Sequence, residues 1–311
     1  EFPKLEVLDC SDNNLTTLDF IDNWDFNNCP NLTYINCSNN QLSGECVFTN
    51  NFELRYFNCS GNEIEYIYIR PSAKLEYLNA SNNYGTYNLS IELGGWTYGG
   101  YEVDLCDNLK VLDVSNSEID NLDFLSNPYG VHCPKLETLN CSNTKIAGLY
   151  LDDCPNLKTL DCSNTQIDEL HPESCPQLRT LDCSNTRIAG ELDLRTCPNL
   201  QTFNCSNTQI SYLELDCPNL QTLDCSNCHF DSELSLSGLP KLAVFKCQNN
   251  SELGLIYGLE TSVNLQTFDC SNCGSLSEIE GLSYCKKLKT FNCENCNLEY
   301  QEVLDFSGLA E

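Results

Sequence analysis

An eleven-residue phrase recurs along the whole 311-residue chain, and it constrains the fold more than any other feature. Its pattern is Leu-x-x-Leu-(Asp/Asn)-Cys-Ser-Asn-(Asn/Thr/Cys)-x-(Ile/Leu), as in LKTLDCSNTQI from Leu157 and LRTLDCSNTRI from Leu178. A pattern that returns at a fixed period of about 20–50 residues indicates stacked repeats, in which each repeat buries its apolar face against its neighbours. The phrase therefore predicts a solenoid.

The phrase starts thirteen times, and most starts lie 20 to 23 residues apart. The first leucines are Leu5, Leu32, Leu54, Leu75, Leu109, Leu136, Leu157, Leu178, Leu200, Leu220, Leu242, Leu265 and Leu288. Three intervals are longer, and stacked strands cannot absorb extra residues without losing register. We therefore expect loop insertions near residues 20–28, 84–104 and 126–132.

With these leucines and spacings, the chain resembles a leucine-rich repeat protein of the short, 21-residue bacterial type. The resemblance covers nearly all of the sequence. It implies a strand on the concave side of each repeat and a short extended segment on the convex side, seen here at Leu149–Leu151, Leu213–Leu215 and Leu234–Leu236. The expected fold is a mainly β solenoid of about thirteen repeats with little helix, in one domain over residues 1–311.

The 23 cysteines follow the repeat and therefore suggest core positions. Eleven fill the sixth place of the phrase, which strand alternation points inward, and the other two repeats carry Ala80 and Val114 there. Eight more lie three places before the first leucine, where Phe2 and Leu239 stand in other repeats. Buried free cysteine behaves as a small apolar residue, so we expect buried thiols. Disulfides involving Cys46, Cys228, Cys273 or Cys296 remain an alternative. With no Cys-x-x-Cys pair recognised and only three histidines, a zinc site is not expected.

The third, fifth and seventh places are expected to face outward on the concave sheet. They form columns of Thr or Tyr, Asp or Asn, and Ser, which are either a solvated face or a contact surface for a protein, a glycan or a divalent ion. The candidate contact residues are Tyr34, Tyr56, Tyr77, Thr159, Thr180, Asp161, Asp182 and Asp224. The threonine column also suggests ice binding, which the neighbouring carboxylates make a poor fit. The asparagines of the eighth and ninth places are expected to close the turn after the strand.

The insertions offer a second candidate surface, because aromatic side chains in loops on a rigid scaffold suit contact sites. Trp96, Tyr98 and Tyr101 are the first choices. The alternative is that these aromatic side chains pack over the convex side.

The charge is strongly acidic, with 45 acidic and 16 basic residues and a net charge of −29. Phosphate binding needs clustered lysine and arginine, so nucleic acid is excluded as a partner, as are anionic membrane surfaces. No membrane span is visible, and cationic partners or ions fit the charge.

Catalysis has no candidate residues. The three histidines lie in different repeats, and no glycine-rich phosphate loop, HExxH or nucleophile elbow is present. We therefore expect no enzyme and no cofactor. Candidate glycosylation sites at Asn14, Asn31, Asn88 and Asn249 favour an extracellular location, whereas so many thiols favour a reducing compartment; of the two, extracellular or cell-surface placement is preferred.

The two ends of the sequence carry apolar residues in repeat register, at Phe2 and Leu5 and at Phe306 and Leu309. Three explanations are open: head-to-tail assembly into an open filament, a segment of a longer array, or a capped monomer. The leading functional prediction is a non-enzymatic structural or adhesive extracellular protein that self-associates head to tail. The alternative is a ligand- or protein-recognition module that uses the concave columns.

Overall fold

The computed structural model describes residues 2–18, 26–70, 73–85, 88–93, 106–125 and 133–298. The chain divides into two compact units, residues 1–157 and 158–311. Each unit is a parallel β-solenoid with almost no helix, which confirms the predicted fold class. The prediction of a single domain stays a prediction.

The main sheet of the first unit has one short strand per repeat, formed by the third to fifth places of the phrase. Its six strands are Val7–Asp9, Tyr34–Asn36, Tyr56–Asn58, Tyr77–Asn79, Val111–Asp113 and Thr138–Asn140. They pair in parallel with each place opposite the same place of the next repeat. Equal places therefore form straight columns with a spacing of about 4.8 Å between strands.

The return path of the first unit carries a second, three-stranded parallel sheet of Ser43–Phe48, Glu63–Ile69 and Ser90–Leu93. Two single-turn 3₁₀ helices, Phe26–Asn28 and Asp123–Leu125, complete its regular structure within the described ranges. Phe26 belongs to the first predicted insertion. Its ring is fully buried and stacks on that of Phe48 at a centroid distance of 4.5 Å, so at this residue the insertion supplies core.

The second unit repeats the arrangement with seven in-register strands in its main sheet. They are Thr159–Asp161, Thr180–Asp182, Thr202–Asn204, Thr222–Asp224, Val244–Lys246, Thr267–Asp269 and Thr290–Asn292. Its return path holds two smaller sheets, one of Ala189–Asp193 and Gln209–Glu214 and one of Glu233–Ser235, Leu255–Tyr257 and Glu278–Ile279. Three 3₁₀ turns occupy Pro172–Ser174, Leu259–Thr261 and Leu282–Tyr284.

The predicted convex segments are only partly strands. Leu213 and Leu234 lie within strands, whereas Leu149 and Leu151 lie in a segment without regular structure. The two leucines are nevertheless 4% and 2% exposed. Burial of alternate apolar side chains therefore sets this path, whether or not the segment pairs into a sheet.

The turn after each main strand depends on the eighth place, where the backbone is left-handed in all thirteen repeats. Twelve of these residues are Asn or Asp with φ between 51° and 62°, and the thirteenth is Gly61 with φ 65°. Asparagine, aspartate and glycine tolerate this conformation best among the amino acids. The predicted role of this column in closing the turn is confirmed.

The cysteines occupy the core as predicted, with 20 of the 23 buried and only Cys10, Cys293 and Cys296 partly exposed. None of the 23 is joined in a disulfide. The slot before the first leucine is more polar than expected, because Asn51 and Ser262 also fill it at 0% exposure. The Ser262 hydroxyl donates to the carbonyl of Leu239 at 3.2 Å, and the Cys217 thiol to that of Leu194 at 3.4 Å. This slot therefore selects small donors as well as apolar side chains.

Candidate functional site

Three tyrosines form a continuous aromatic stack on the main sheet of the first unit. Tyr34, Tyr56 and Tyr77 occupy the third place of consecutive repeats, on strands paired in register. The ring centroids are 4.4 Å apart for the first pair and 4.3 Å for the second, and the planes are inclined by 9° and 5°. Strand spacing alone sets this geometry, because equal side chains one strand apart meet face to face.

An apolar side chain extends the tyrosine stack on each side. Val7 stands in the third place of the preceding strand and is 58% exposed, and Val111, half-buried, stands in that of the following strand. The row crosses five strands, a length of about 19 Å at ordinary strand spacing. We call Val7, Tyr34, Tyr56, Tyr77 and Val111 the aromatic row.

The middle ring is shielded by its neighbours. Loss of hydration raises the pKa of Tyr56 to about 12, and the flanking Tyr77 and Tyr34 add to that rise. The Tyr77 hydroxyl accepts a hydrogen bond from the Asn79 side-chain amide at 3.4 Å. Between pH 5 and 9 the Tyr56 phenol is therefore neutral.

A column of amides runs beside the aromatic row in the fifth place, at Asn36, Asn58 and Asn79. The Oδ1 atom of Asn58 accepts hydrogen bonds from the backbone amide and the hydroxyl of Ser60, at 3.1 and 2.8 Å. Its side-chain NH₂ group is hydrogen-bonded to the Tyr56 phenol, as that of Asn79 is to Tyr77. The amide column therefore supports the aromatic row from the side.

The seventh-place serines are not the outward column that the sequence predicted. Nine of them are 4–8% exposed, including Ser163 and Ser184. Seven of the nine donate their hydroxyls to fifth-place side chains. The strand ends at the fifth place and the chain then turns inward, so alternation no longer applies two residues later. Within the main strands, the third and fifth places form the outer face.

In the second unit the outer columns are threonine and aspartate. Thr159 and Asp161 lie opposite Thr180 and Asp182 in register. The carboxylates are partly neutralised by neighbouring donors. The Asn204 amide donates to Asp182 Oδ2 at 3.0 Å, and Lys246 Nζ lies 3.5 Å from Asp224 Oδ2. This explains how so acidic a column remains in register, and it leaves few free polar atoms for a ligand.

Some of the remaining predicted site residues lie within the described ranges and others lie outside them. Asn14, Asn31, Asn88 and Asn249 are exposed, although the Asn31 amide donates to the carbonyl of Pro3 at 2.7 Å. Phe2 is 50% exposed and Leu5 is half-buried. Trp96, Tyr98, Tyr101, Phe306 and Leu309 lie outside the described residues.

An acidic groove lies on the return side of the second unit, beside the 3₁₀ turn at Pro172–Ser174. It is lined by Asp168, Glu173, Glu191 and Asp193 among others, and His171 Nδ1 lies 3.2 Å from Glu173 Oε1. Within the described part of the chain, no three His, Cys, Asp or Glu side chains are arranged to hold a metal ion. Nor does any helix in those ranges have the length and apolar character to cross a membrane.

The second unit holds three Cys-x-x-Cys pairs, so the premise that the chain has none was wrong. They are Cys225 with Cys228, Cys270 with Cys273, and Cys293 with Cys296. The ninth place of the phrase carries the second cysteine of each, whereas most other repeats have Asn or Thr there. This second cysteine, three residues after the sixth-place cysteine, was their signal in the sequence.

Comparison with known proteins supports the same architecture. Models of the leucine-rich repeat family match residues 3–45, 134–174, 176–217 and 219–242. No curated relative matches significantly. Among solved structures, the functional domain of InlJ from Listeria monocytogenes, which includes a cysteine ladder, is 26% identical with a TM-score of 0.73. That alignment covers 99% of this chain and 61% of the InlJ chain, so this chain spans less than two thirds of that protein's length.

Two further structures share the fold. A leucine-rich repeat protein of Leptospira interrogans is 17% identical, with a TM-score of 0.70 and coverage of 93% of this chain and 72% of the other. The TLR13 chain of a complex with ssRNA13 is 22% identical, with a TM-score of 0.63 and coverage of 99% and 44%. Together with the repeated phrase and the parallel solenoid of each unit, the family-model matches and the similarity to InlJ establish that the chain is a leucine-rich repeat protein.

Proposed function

We propose that the chain is a protein-recognition module that binds a peptide segment of its partner along the aromatic row. The observation that carries the proposal is the stack of Tyr34, Tyr56 and Tyr77, continued by Val7 and Val111. Tyrosine is enriched in protein interfaces because it supplies a large rigid contact area and a polar hydroxyl. A row of this length can contact an extended peptide of about six residues.

The aromatic row fits a partner better than the Thr and Asp columns of the second unit. The aspartate Oδ1 atoms already accept two hydrogen bonds each, as Asp161 does from Ser163, and a ligand would also have to displace water from rows of charge. The tyrosines offer apolar area that loses water at little cost. Thr159, Thr180, Asp161, Asp182 and Asp224 are therefore the secondary candidates.

A nucleic-acid partner is disfavoured for this chain, although TLR13 was solved with RNA. Binding of a phosphate backbone depends on clustered basic side chains, and the net charge here is −29. Beside the aromatic row, Glu76 pairs with Arg55 at 3.0 Å and with Lys110 at 2.7 Å. These two basic side chains are thus already engaged by a carboxylate.

The experiment is selection of a displayed random-peptide library on the immobilised chain, followed by calorimetric titration of the enriched peptides. Tyr56→Thr with Tyr77→Thr is the matched variant, because threonine fills the same third place in most repeats of the second unit. Loss of two aromatic contacts of about 1–2 kcal/mol each predicts that peptide affinity falls at least tenfold.

The control is the double variant Thr159→Ala with Thr180→Ala, which is expected to leave the affinity of the same peptides within about twofold. If the peptides bind the tyrosine variant with the same affinity as the original chain, or lose affinity only for the threonine variant, the contact surface lies in the second unit and the proposal is wrong.

Two finer proposals accompany this one. The exposure of Asn14, Asn88 and Asn249 fits an extracellular glycoprotein, which mass spectrometry of the chain from a glycosylating host would test by the glycan on each site. Exposed Phe2 supports head-to-tail self-association, and dispersed monomers of the unaltered chain in sedimentation experiments at high concentration would contradict it.

A further inference from the structure

Three cysteines of the second unit, two of them buried and one partly exposed, make the same contact with the preceding repeat. Each stands in the ninth place, and its thiol donates to the carbonyl of the sixth-place cysteine one repeat earlier. The contacts are Cys228 to Cys205 at 3.2 Å, Cys273 to Cys247 at 3.2 Å and Cys296 to Cys270 at 3.1 Å. The same contact between cysteines of neighbouring repeats therefore recurs three times in this unit.

Threonines in the same place behave differently. Thr165, Thr186 and Thr208 donate to the sixth-place carbonyl of their own repeat, at 2.7–2.8 Å. The longer C–S bonds and larger sulfur of cysteine allow it to reach the preceding repeat instead. Within each of the three pairs the two thiols are also close enough to shift one another's pKa. The two cysteines of each pair are therefore already adjacent.

We propose that Cys205–Cys228, Cys247–Cys273 and Cys270–Cys296 are redox-sensitive pairs that close into inter-repeat disulfides when the protein meets a peroxide. The chemistry balances with hydrogen peroxide as the two-electron oxidant. The ninth-place sulfur attacks one peroxide oxygen, the O–O bond breaks and one water leaves, giving a sulfenic acid. The sixth-place thiol then attacks that sulfur, forms the S–S bond and releases the second water.

The pairs differ in how readily they react. The hydrogen bond with the Cys205 thiol lowers the pKa of Cys228, and that with Cys247 lowers the pKa of Cys273, which favours the nucleophilic thiolate. Cys296 has a raised pKa because of burial, but it is partly exposed and the oxidant reaches it more easily. Cys133 is also in contact with Cys106 but has a strongly raised pKa, with the Cys106 hydrogen bond as the largest cause. That pair is the internal comparison and should oxidise last.

The disulfides would fasten consecutive repeats of the second unit to one another. Each links cysteines 23 or 26 residues apart, so each closes about one repeat. Such a link restricts the unfolded chain and stops neighbouring repeats from separating.

The test is peptide mapping after peroxide. The purified, fully reduced chain is treated with hydrogen peroxide, the remaining thiols are alkylated, and the chain is digested and analysed by mass spectrometry without reductant. The expected result is the three named links, with Cys205–Cys228 and Cys247–Cys273 reaching half-conversion at least fivefold faster than Cys106–Cys133. Thermal unfolding of the oxidised chain should also shift to higher temperature than that of the reduced chain.

Cys228→Thr is the matched variant, since Thr208 fills the equivalent place one repeat earlier. It should lose the Cys205 link, keep the other two, and leave Cys205 open to alkylation after unfolding. The proposal fails if peroxide instead joins same-place neighbours such as Cys225 and Cys247, if it joins Cys225 to Cys228 within one repeat, or if the ninth-place thiols accumulate sulfinic acid without links. The wild-type map alone decides between these outcomes should the variant fold poorly.

Discussion

Ser163 donates both its backbone amide and its hydroxyl to one carboxylate oxygen of Asp161, at 3.1 and 2.7 Å. The same pair of bonds joins Asp182 to Ser184 and Asn140 to Ser142. The fifth-place side chain therefore holds the end of the strand against the turn that follows. The column of fifth-place side chains on the surface is therefore a consequence of this local role in each repeat.

The first prediction concerns the acceptor at Asp161. Asp161→Ala removes the acceptor of two hydrogen bonds on a partly exposed side chain and should lower the free energy of unfolding by about 1–2 kcal/mol. Asp161→Asn keeps the acceptor and removes the like charge facing Asp182, so it should change stability by less than about 0.5 kcal/mol. Urea denaturation under reducing conditions measures both. Equal losses in the two variants would show that charge, and not the hydrogen bonds, matters.

The second prediction concerns the left-handed turn. Asn185 has φ 55°, a conformation that costs an alanine about 1–2 kcal/mol. Asn185→Ala should therefore destabilise the chain by about 1 kcal/mol, whereas Asn185→Gly should cost a few tenths, since Gly61 occupies the equivalent position naturally. The difference between the urea midpoints of the two variants measures the cost of the left-handed backbone conformation. A glycine variant as unstable as the alanine variant would show that the loss comes from the missing asparagine side chain.

The fold could be predicted because its determinants are local and repeated. Inward leucines at the first and fourth places, small residues at the sixth and asparagine at the eighth define one strand and one turn, and each repeat supplies them independently. The outward position of the seventh place could not be predicted, because alternation holds only while the strand continues. Ser163 lies two residues past the end of its strand, and its hydroxyl turns back to Asp161.

The candidate site was predicted in part. The third-place tyrosines follow from the register, and their stacking follows from strand spacing. Cys228 was predicted only as a possible disulfide cysteine, and its partner could not be predicted, because a thiol in the ninth place resembles the threonine of neighbouring repeats in size. Only the direction of its hydrogen bond, toward Cys205 of the preceding repeat, separates it from Thr208.

The third prediction tests the sixth-place cysteine as a core side chain. Cys183 is 0% exposed, and Val114 and Ala80 fill the same place. Cys183→Val should change the free energy of unfolding by less than about 1.5 kcal/mol. Cys183→Ser buries a hydroxyl in place of a thiol and should cost about 1–3 kcal/mol. Urea denaturation with reductant present measures both, and a serine variant as stable as the valine variant would show that the slot is polar.

The fourth prediction concerns the stability of the aromatic row at high pH. The pKa of Tyr56 is about 12 in the folded chain, raised above its ordinary value of 10 mainly by loss of hydration. Because the folded state holds this proton more tightly than the unfolded state, the stabilisation is complete below pH 10. It is lost as the pH rises from about 10 to 12. Tyr56→Phe removes this ionisation, so the variant should lose less stability over that interval than the unaltered chain.

Buried thiols also lose protons in alkali, and therefore only the difference between the two proteins reports on Tyr56. Urea midpoints at pH 8, 10 and 11 supply that difference. Phenolate absorbance near 295 nm gives a second readout, in which the variant should lack one late-titrating tyrosine. Parallel loss of stability in both proteins from pH 8 to 11, together with identical absorbance steps above pH 10, would mean that Tyr56 ionises as freely as a solvated phenol and that the stack does not shield it.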